Sequence, residues 1–221
     1  MKITNYKFFD LIEIKNFEPE TLVVENPTIY RKMVEEIISE FNYDVGDFVI
    51  SESDDKPLEF SKNCIVINDF YNSGINNKSF KTKLLNAISS DYRYLFEDSA
   101  LLLQLNDLAL EISNSFPFDI TYNSSFGFAD IVKMLDFRFD IDGDEFWDRF
   151  LQKIAICKEM LSYKLVVTIN LKDNISKEEY DELIKNLKYR ETQILMIERN
   201  VHGDLDDCNH TKIIDKDLCV I

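Results

Sequence analysis

A chain of 221 residues and 26.0 kDa holds one sizeable core, or a core with an appended lobe, and is too short for a multidomain assembly. Hydrophobic residues at 45%, including 17 Phe and 10 Tyr, exclude wholesale disorder, while only 5 Gly and 4 Pro argue against an all-β sandwich or barrel and against a glycine-rich nucleotide loop. The formal charge of -16, from 41 acidic and 25 basic side chains, inverts the balance of a conventional nucleic-acid binder; DNA contact would need a local basic patch, bound cations or a quaternary arrangement.

The amino end, MKITNYKFFDLIEI, carries acids within its apolar stretch and lacks the pattern of a signal peptide, and no segment reaches the roughly 18 apolar residues of a membrane span. Cys64, Cys157, Cys208 and Cys219 form no CxxC pair, which predicts reduced, buried thiols in a cytosolic protein. Residues 21–25, TLVVE, form a short apolar run, after which Asn26 and Pro27 supply an N-cap and a first-turn proline. Ile29, Met33, Val34, Ile37, Ile38 and Phe41 then follow at helical spacing. The charged stretch 51–62 reads as a loop or weak hairpin, and CIVIND (64–69) as a buried strand.

From about residue 79 to residue 162 the apolar period is helical throughout. Within it ALLLQLNDLALEI is apolar on most of its circumference, which predicts burial between helices or between subunits. Phe146, Trp147, Phe150, Leu151, Ile154, Cys157 and Leu161 make one stripe on the last of these helices. KLVVTIN (164–170) is a second buried strand, Ser176 to Glu179 a capping box, and ILMIE (194–198) a third strand. The simplest architecture is an α/β domain of residues 1–75 and 163–221 with an all-helical lobe, 76–162, inserted between them.

The chemistry-bearing candidates each have a plain alternative. No GxxxxGK[ST] motif occurs; the turn after the first apolar run is Glu25-Asn26-Pro27-Thr28, whose Glu repels phosphate and whose Pro lacks an amide donor. Asp69 at a strand end reads as a capping or turn aspartate. Asp140, Asp142, Asp144 and Glu145 in FDIDGDEF offer hard oxygens suited to Ca2+, although the glycine position departs from an EF-hand and acids also collect at a helix amino terminus. His202, Cys208 and His210 fit no standard zinc spacing and read as a polar surface loop between strands. With 2 His in the chain, no Ser-His or Cys-His catalytic arrangement is supported. Lys78, Lys81 and Lys83 flank Phe80 at the start of the helical region; Lys133, Arg138, Arg149, Lys153 and Lys158 follow later.

TLVVENPTIYRKMVEEI, CIVINDFY, the long helical middle and LSYKLVVTINLKDNISKEEYDELIKNLKYRETQILMIER together resemble the small type II-A CRISPR adaptation proteins that form tetrameric rings on DNA ends. The resemblance implies a nucleotide-kinase-like α/β head with a degenerate phosphate loop and a helical leg. It further implies a non-enzymatic, calcium-dependent homotetramer that binds linear double-stranded DNA without base readout during spacer acquisition, alongside the adaptation integrase and the effector nuclease. Many members carry several acids in the loop joining two leg helices; here SFPFDITYNSSF keeps only Asp119, so Asp140, Asp142, Asp144 and Glu145 are the expected replacement ligands. The expected phosphate contacts are Lys78, Lys81 and Lys83, then Lys133 and Lys153. Two rival readings stay open: an acidic module that mimics DNA, suggested by the charge, and a metal-dependent nuclease using Asp69 with the acidic cluster.

Overall fold

The computed structural model describes residues 1–52, 56–71, 78–97, 100–125, 127–141 and 145–221. Contacts divide the chain into two units, Met1–Ser73 with Ile141–Ile221, and Gly74–Asp140. The first unit opens with β1 (Lys2–Asn5), β2 (Phe9–Glu13), β3 (Glu20–Val24), α1 (Pro27–Tyr43), β4 (Val49–Ser51), β5 (Pro57–Leu58), α2 (Phe60–Asn63) and β6 (Cys64–Ile67). The second holds α3 (Lys78–Asp91), α4 (Arg93–Glu97), α5 (Leu101–Ser115) and α6 (Phe128–Leu135). The chain returns to the first unit as α7 (Phe146–Leu161), β7 (Leu165–Ile169), α8 (Lys177–Tyr189), β8 (Gln193–Glu198) and β9 (Thr211–Ile214).

Five strands form a parallel sheet in the order β6-β7-β8-β3-β9. Every residue of β3 and of β7 is buried, as continuous apolar runs require when helices cover both faces. Helix α1 starts where Asn26 Oδ1 accepts from the Thr28 and Ile29 amides, and it ends at Asp44 in the left-handed region. On α8 the capping box is complete, Ser176 Oγ accepting from the Glu179 amide at 3.2 Å and Glu179 from the Ser176 amide at 2.6 Å. Tyr180, Leu183 and Leu187 turn inward from it.

The helix expected to close the inserted lobe, α7, belongs to the α/β unit. Its stripe explains why: Phe150 meets Phe70 beyond β6 with ring centroids 5.8 Å apart, and Trp147 donates from Nε1 to Glu182 of α8 at 2.7 Å.

A second, antiparallel sheet, β2-β1-β4-β5, has no counterpart in the sequence reading of residues 1–20. Ile3, Ile12, Ile14 and Ile50 share one core cluster with Phe9, Phe48, Phe60 and the parallel strands. Within the charged stretch β5 pairs antiparallel with β4, Ile50 opposite Leu58, whereas the end of that stretch is helical as α2. Only Cys64 and Cys157 are the buried thiols expected, and burial pushes Cys157 up to about 12; Cys208 and Cys219 are exposed.

In the helical unit Phe80 of α3 is buried, as are Ile131 and Val132 of α6, and α3 lies against α6. Helix α5 is different. At about 100° per residue Leu101, Leu108 and Ile112 share one side, and Leu103 and Leu110 point to nearly the opposite one. Leu103 is 69% and Leu108 53% exposed, so a single chain covers neither side.

Candidate nucleic-acid interface

The site a nucleotide would use lies at the carboxyl ends of the parallel strands, where β3 turns into α1. A phosphate is held there by free amides at a helix amino terminus. Asn26 Oδ1 takes Thr28 N at 3.0 Å and Ile29 N at 3.2 Å, Tyr30 N donates to the Asn26 carbonyl at 2.9 Å, and Pro27 has no N–H. The first turn therefore satisfies its own donors, and Glu25 adds a negative charge. Tyr30 Oη reaches across to Asn170 Oδ1 at 2.9 Å, and burial, assisted by the Glu198 charge, pushes its phenol up to about 12. Calorimetry with Mg-ATP should show neither micromolar binding nor turnover; micromolar affinity would mean that the cap yields to phosphate.

The basic residues do not form one patch. Lys78 and Lys83 are exposed on α3. Lys81 is committed to Asp136 Oδ1 at 2.5 Å, at the carboxyl end of α6, and Asp136 also takes Arg138; Lys81 and then Arg138 hold the Asp136 carboxyl below its usual range. Lys133 is 69% exposed, 4.0 Å from Asp130 one turn back. Lys153 sits on α7 in the α/β unit, half-buried, where desolvation lowers its pKa despite the nearby Asp69. The helical unit, residues 74–140, carries 6 Lys and Arg against 9 Asp and Glu, whereas the rest of the chain carries 19 against 32. The acid excess is thus concentrated in the α/β unit, and the helical unit is the less hostile surface for a polyanion.

Of the expected calcium ligands, Asp119, Asp140 and Glu145 are exposed, and Asp142 and Asp144 lie outside the described residues. Among the described residues no group of three or more His, Cys, Asp or Glu could hold a metal ion. Asp69 closes a local turn, its Oδ1 accepting from the Tyr71 amide at 3.1 Å. No helix of the described residues is long and apolar enough to cross a membrane.

Two features escaped the sequence reading. His202, read as part of a surface loop, has a side chain only 17% exposed and packs beside Glu198 at the end of β8. The acid ending the apolar run ILMIE was the available signal, since a carboxylate closing a buried strand needs a partner inside. The other is the apolar rim of the helical unit beyond α5, where Phe116, Phe118, Met134 and Phe137 are exposed.

Comparison with curated proteins finds no match. A family model does match: CRISPR-associated protein (Cas_Csn2), over residues 40–218. That span runs from the end of α1 past β9 and takes in α5 and most of the parallel sheet. With well over half the chain matched, and with the α/β pattern that the resemblance implied present in the structure, the chain belongs to the CRISPR-associated Cas_Csn2 family of type II-A adaptation proteins.

Proposed function

We propose that this chain is a non-catalytic cytoplasmic protein that assembles into a homotetrameric ring and binds linear double-stranded DNA ends during CRISPR spacer acquisition. The observation that carries this reading is α5, whose leucines are exposed on opposite sides in a single chain. Apolar surface of that extent marks an interaction face, and a helix apolar all round is a buried helix. Copies of the same chain supply matching apolar surface, and closed symmetry turns such contacts into a ring.

In this reading the helical unit is the leg and the α/β unit a head whose phosphate loop has degenerated. Lys78, Lys83 and Lys133 contact the DNA backbone without reading bases. Ca2+ supports the assembly by screening the acid excess, and the adaptation integrase and effector nuclease are the partners. Binding of linear against covalently closed duplex, with and without Ca2+, tests it. A ring retains only the linear form, an acidic mimic of DNA retains neither, and a nuclease cuts.

A further inference from the structure

Beneath the strap that joins β8 to β9, residues 199–210, lies an ionic cluster that the DNA-binding reading does not use. The Lys172 side chain is fully buried. Its Nζ donates to Thr21 Oγ1 of β3 at 2.8 Å, to the Leu205 carbonyl at 2.9 Å and to Asp206, which also accepts from the His202 amide. Glu198 is 0% exposed. Its Oε1 accepts from the Lys172 amide at 3.2 Å, whereas Oε2 has no hydrogen-bond partner and faces His202 Nε2, equally unpartnered, 3.7 Å away. Asp173 Oδ1 stands 3.5 Å from the same ring nitrogen.

Lys172 is already matched by Asp206, so an ionised Glu198 would leave surplus negative charge in the interior beside Asp173. Two buried acceptors facing each other are both satisfied by one proton between them. We propose that Glu198 and His202 share a proton that latches the strap to the end of β8, and that the strap opens when this proton leaves. The strap forms one wall of a cavity of about 630 Å³ whose other walls include Lys177, Tyr180 and Lys188, so the latch sets access to that cavity.

The groups around Glu198 come from each neighbouring element. Lys172 and Asp173 follow β7, Tyr30 comes from α1, Arg199 follows along the chain, and His202 and Asp206 come from the strap. Helix α8 contributes the Tyr180 ring, 5.2 Å from Lys172 Nζ, and the Lys177 charge. Burial raises Glu198 from its ordinary 4.5 to about 7. The closed pair holds one proton up to about pH 7, whereas in the open strap an ordinary histidine holds one up to about 6.5 and an ordinary carboxyl adds a second only below about 4.5, so opening is nearly independent of pH between about 4.5 and about 6.5. His210, held by Glu20 on Nδ1 and Glu18 on Nε2, each at 2.8 Å, has a raised pKa because the Glu20 carboxylate, and then Glu18, favour its protonated form.

Amide hydrogen exchange of residues 200–207, corrected for intrinsic rates, tests the latch. Protection in the wild type should therefore stay within about threefold between about pH 5 and about pH 6.5, as should that of the β7 amides. Glu198→Gln should lose about tenfold or more in protection as pH falls across that interval, because the amide keeps the acceptor for Lys172 N and donates to His202 Nε2 but brings no proton, so acid favours the open strap. A wild-type protection that changes about tenfold across this interval, or a variant as flat as the wild type, overturns the proposal. Should the variant fail to fold, carbon-13 NMR of the wild-type Glu198 carboxyl decides: a midpoint near 7 supports the latch, and one in the ordinary carboxylate range overturns it.

Discussion

Light scattering in calcium should return close to four times the 26.0 kDa chain mass, and the pair Leu103→Glu and Leu108→Glu should reduce it to that of one chain. The two positions lie on different sides of α5 and are 69% and 53% exposed, so neither substitution disturbs the packing of a single chain. Far-UV circular dichroism should stay unchanged. In the assembly each leucine contributes on the order of 1.5–3 kcal/mol by burial, and a glutamate in its place adds the cost of desolvating a charge. Symmetry repeats that cost in every copy, so the expected outcome is loss of assembly and not a modest weakening. Chelation should lower the wild-type mass as well, because four chains each carrying -16 repel one another. A mass of about 26 kDa in both calcium and chelator would remove the channel, and with it the ring.

Linear duplex should be retained and a covalently closed circle of the same sequence should not, because a closed ring of protein admits DNA only at an end. The phosphate contacts can be tested on the same assay. Lys81 holds Asp136, so replacing it risks the contact between α3 and α6. Lys78→Glu with Lys83→Glu leaves that pair in place. The double variant should bind linear DNA more weakly whatever its sequence, each lost contact lowering the salt slope by about one unit. A variant that still assembles and keeps the wild-type slope would move the contact surface to other residues, Lys133 first.

The parallel strands were legible because β3, β6, β7 and β8 are short apolar runs, and the starts of α1 and α8 because Asn26-Pro27 and Ser176 to Glu179 are local signals. The antiparallel sheet was not, since Lys2–Asn5 is only four residues long and one of its two partners, β4, lies more than forty residues away. The placement of α7 was equally hidden: an apolar stripe shows that a helix packs, not against which layer. Among the lysines, exposure could not be read from composition. Lys78 and Lys81 are three residues apart, yet one is exposed and the other is held by an aspartate 55 positions later. The Glu198 and Lys172 cluster depends on four separate segments meeting, which no local pattern announces.

The self-satisfied start of α1 also bears on what this fold could become. Installing phosphate recognition there would require removing the Asn26 side chain, which forfeits about 1 kcal/mol of helix capping. It would also require replacing Pro27 to recover an amide, exchanging Glu25 for a neutral or basic residue, and lengthening the turn with glycines. Each of these steps alone lowers stability or changes nothing, and binding emerges only when all are present. For an evolving lineage that is a valley with no gradient across it, so drift in this turn leads away from nucleotide chemistry and leaves α1 to serve solely as a wall of the core.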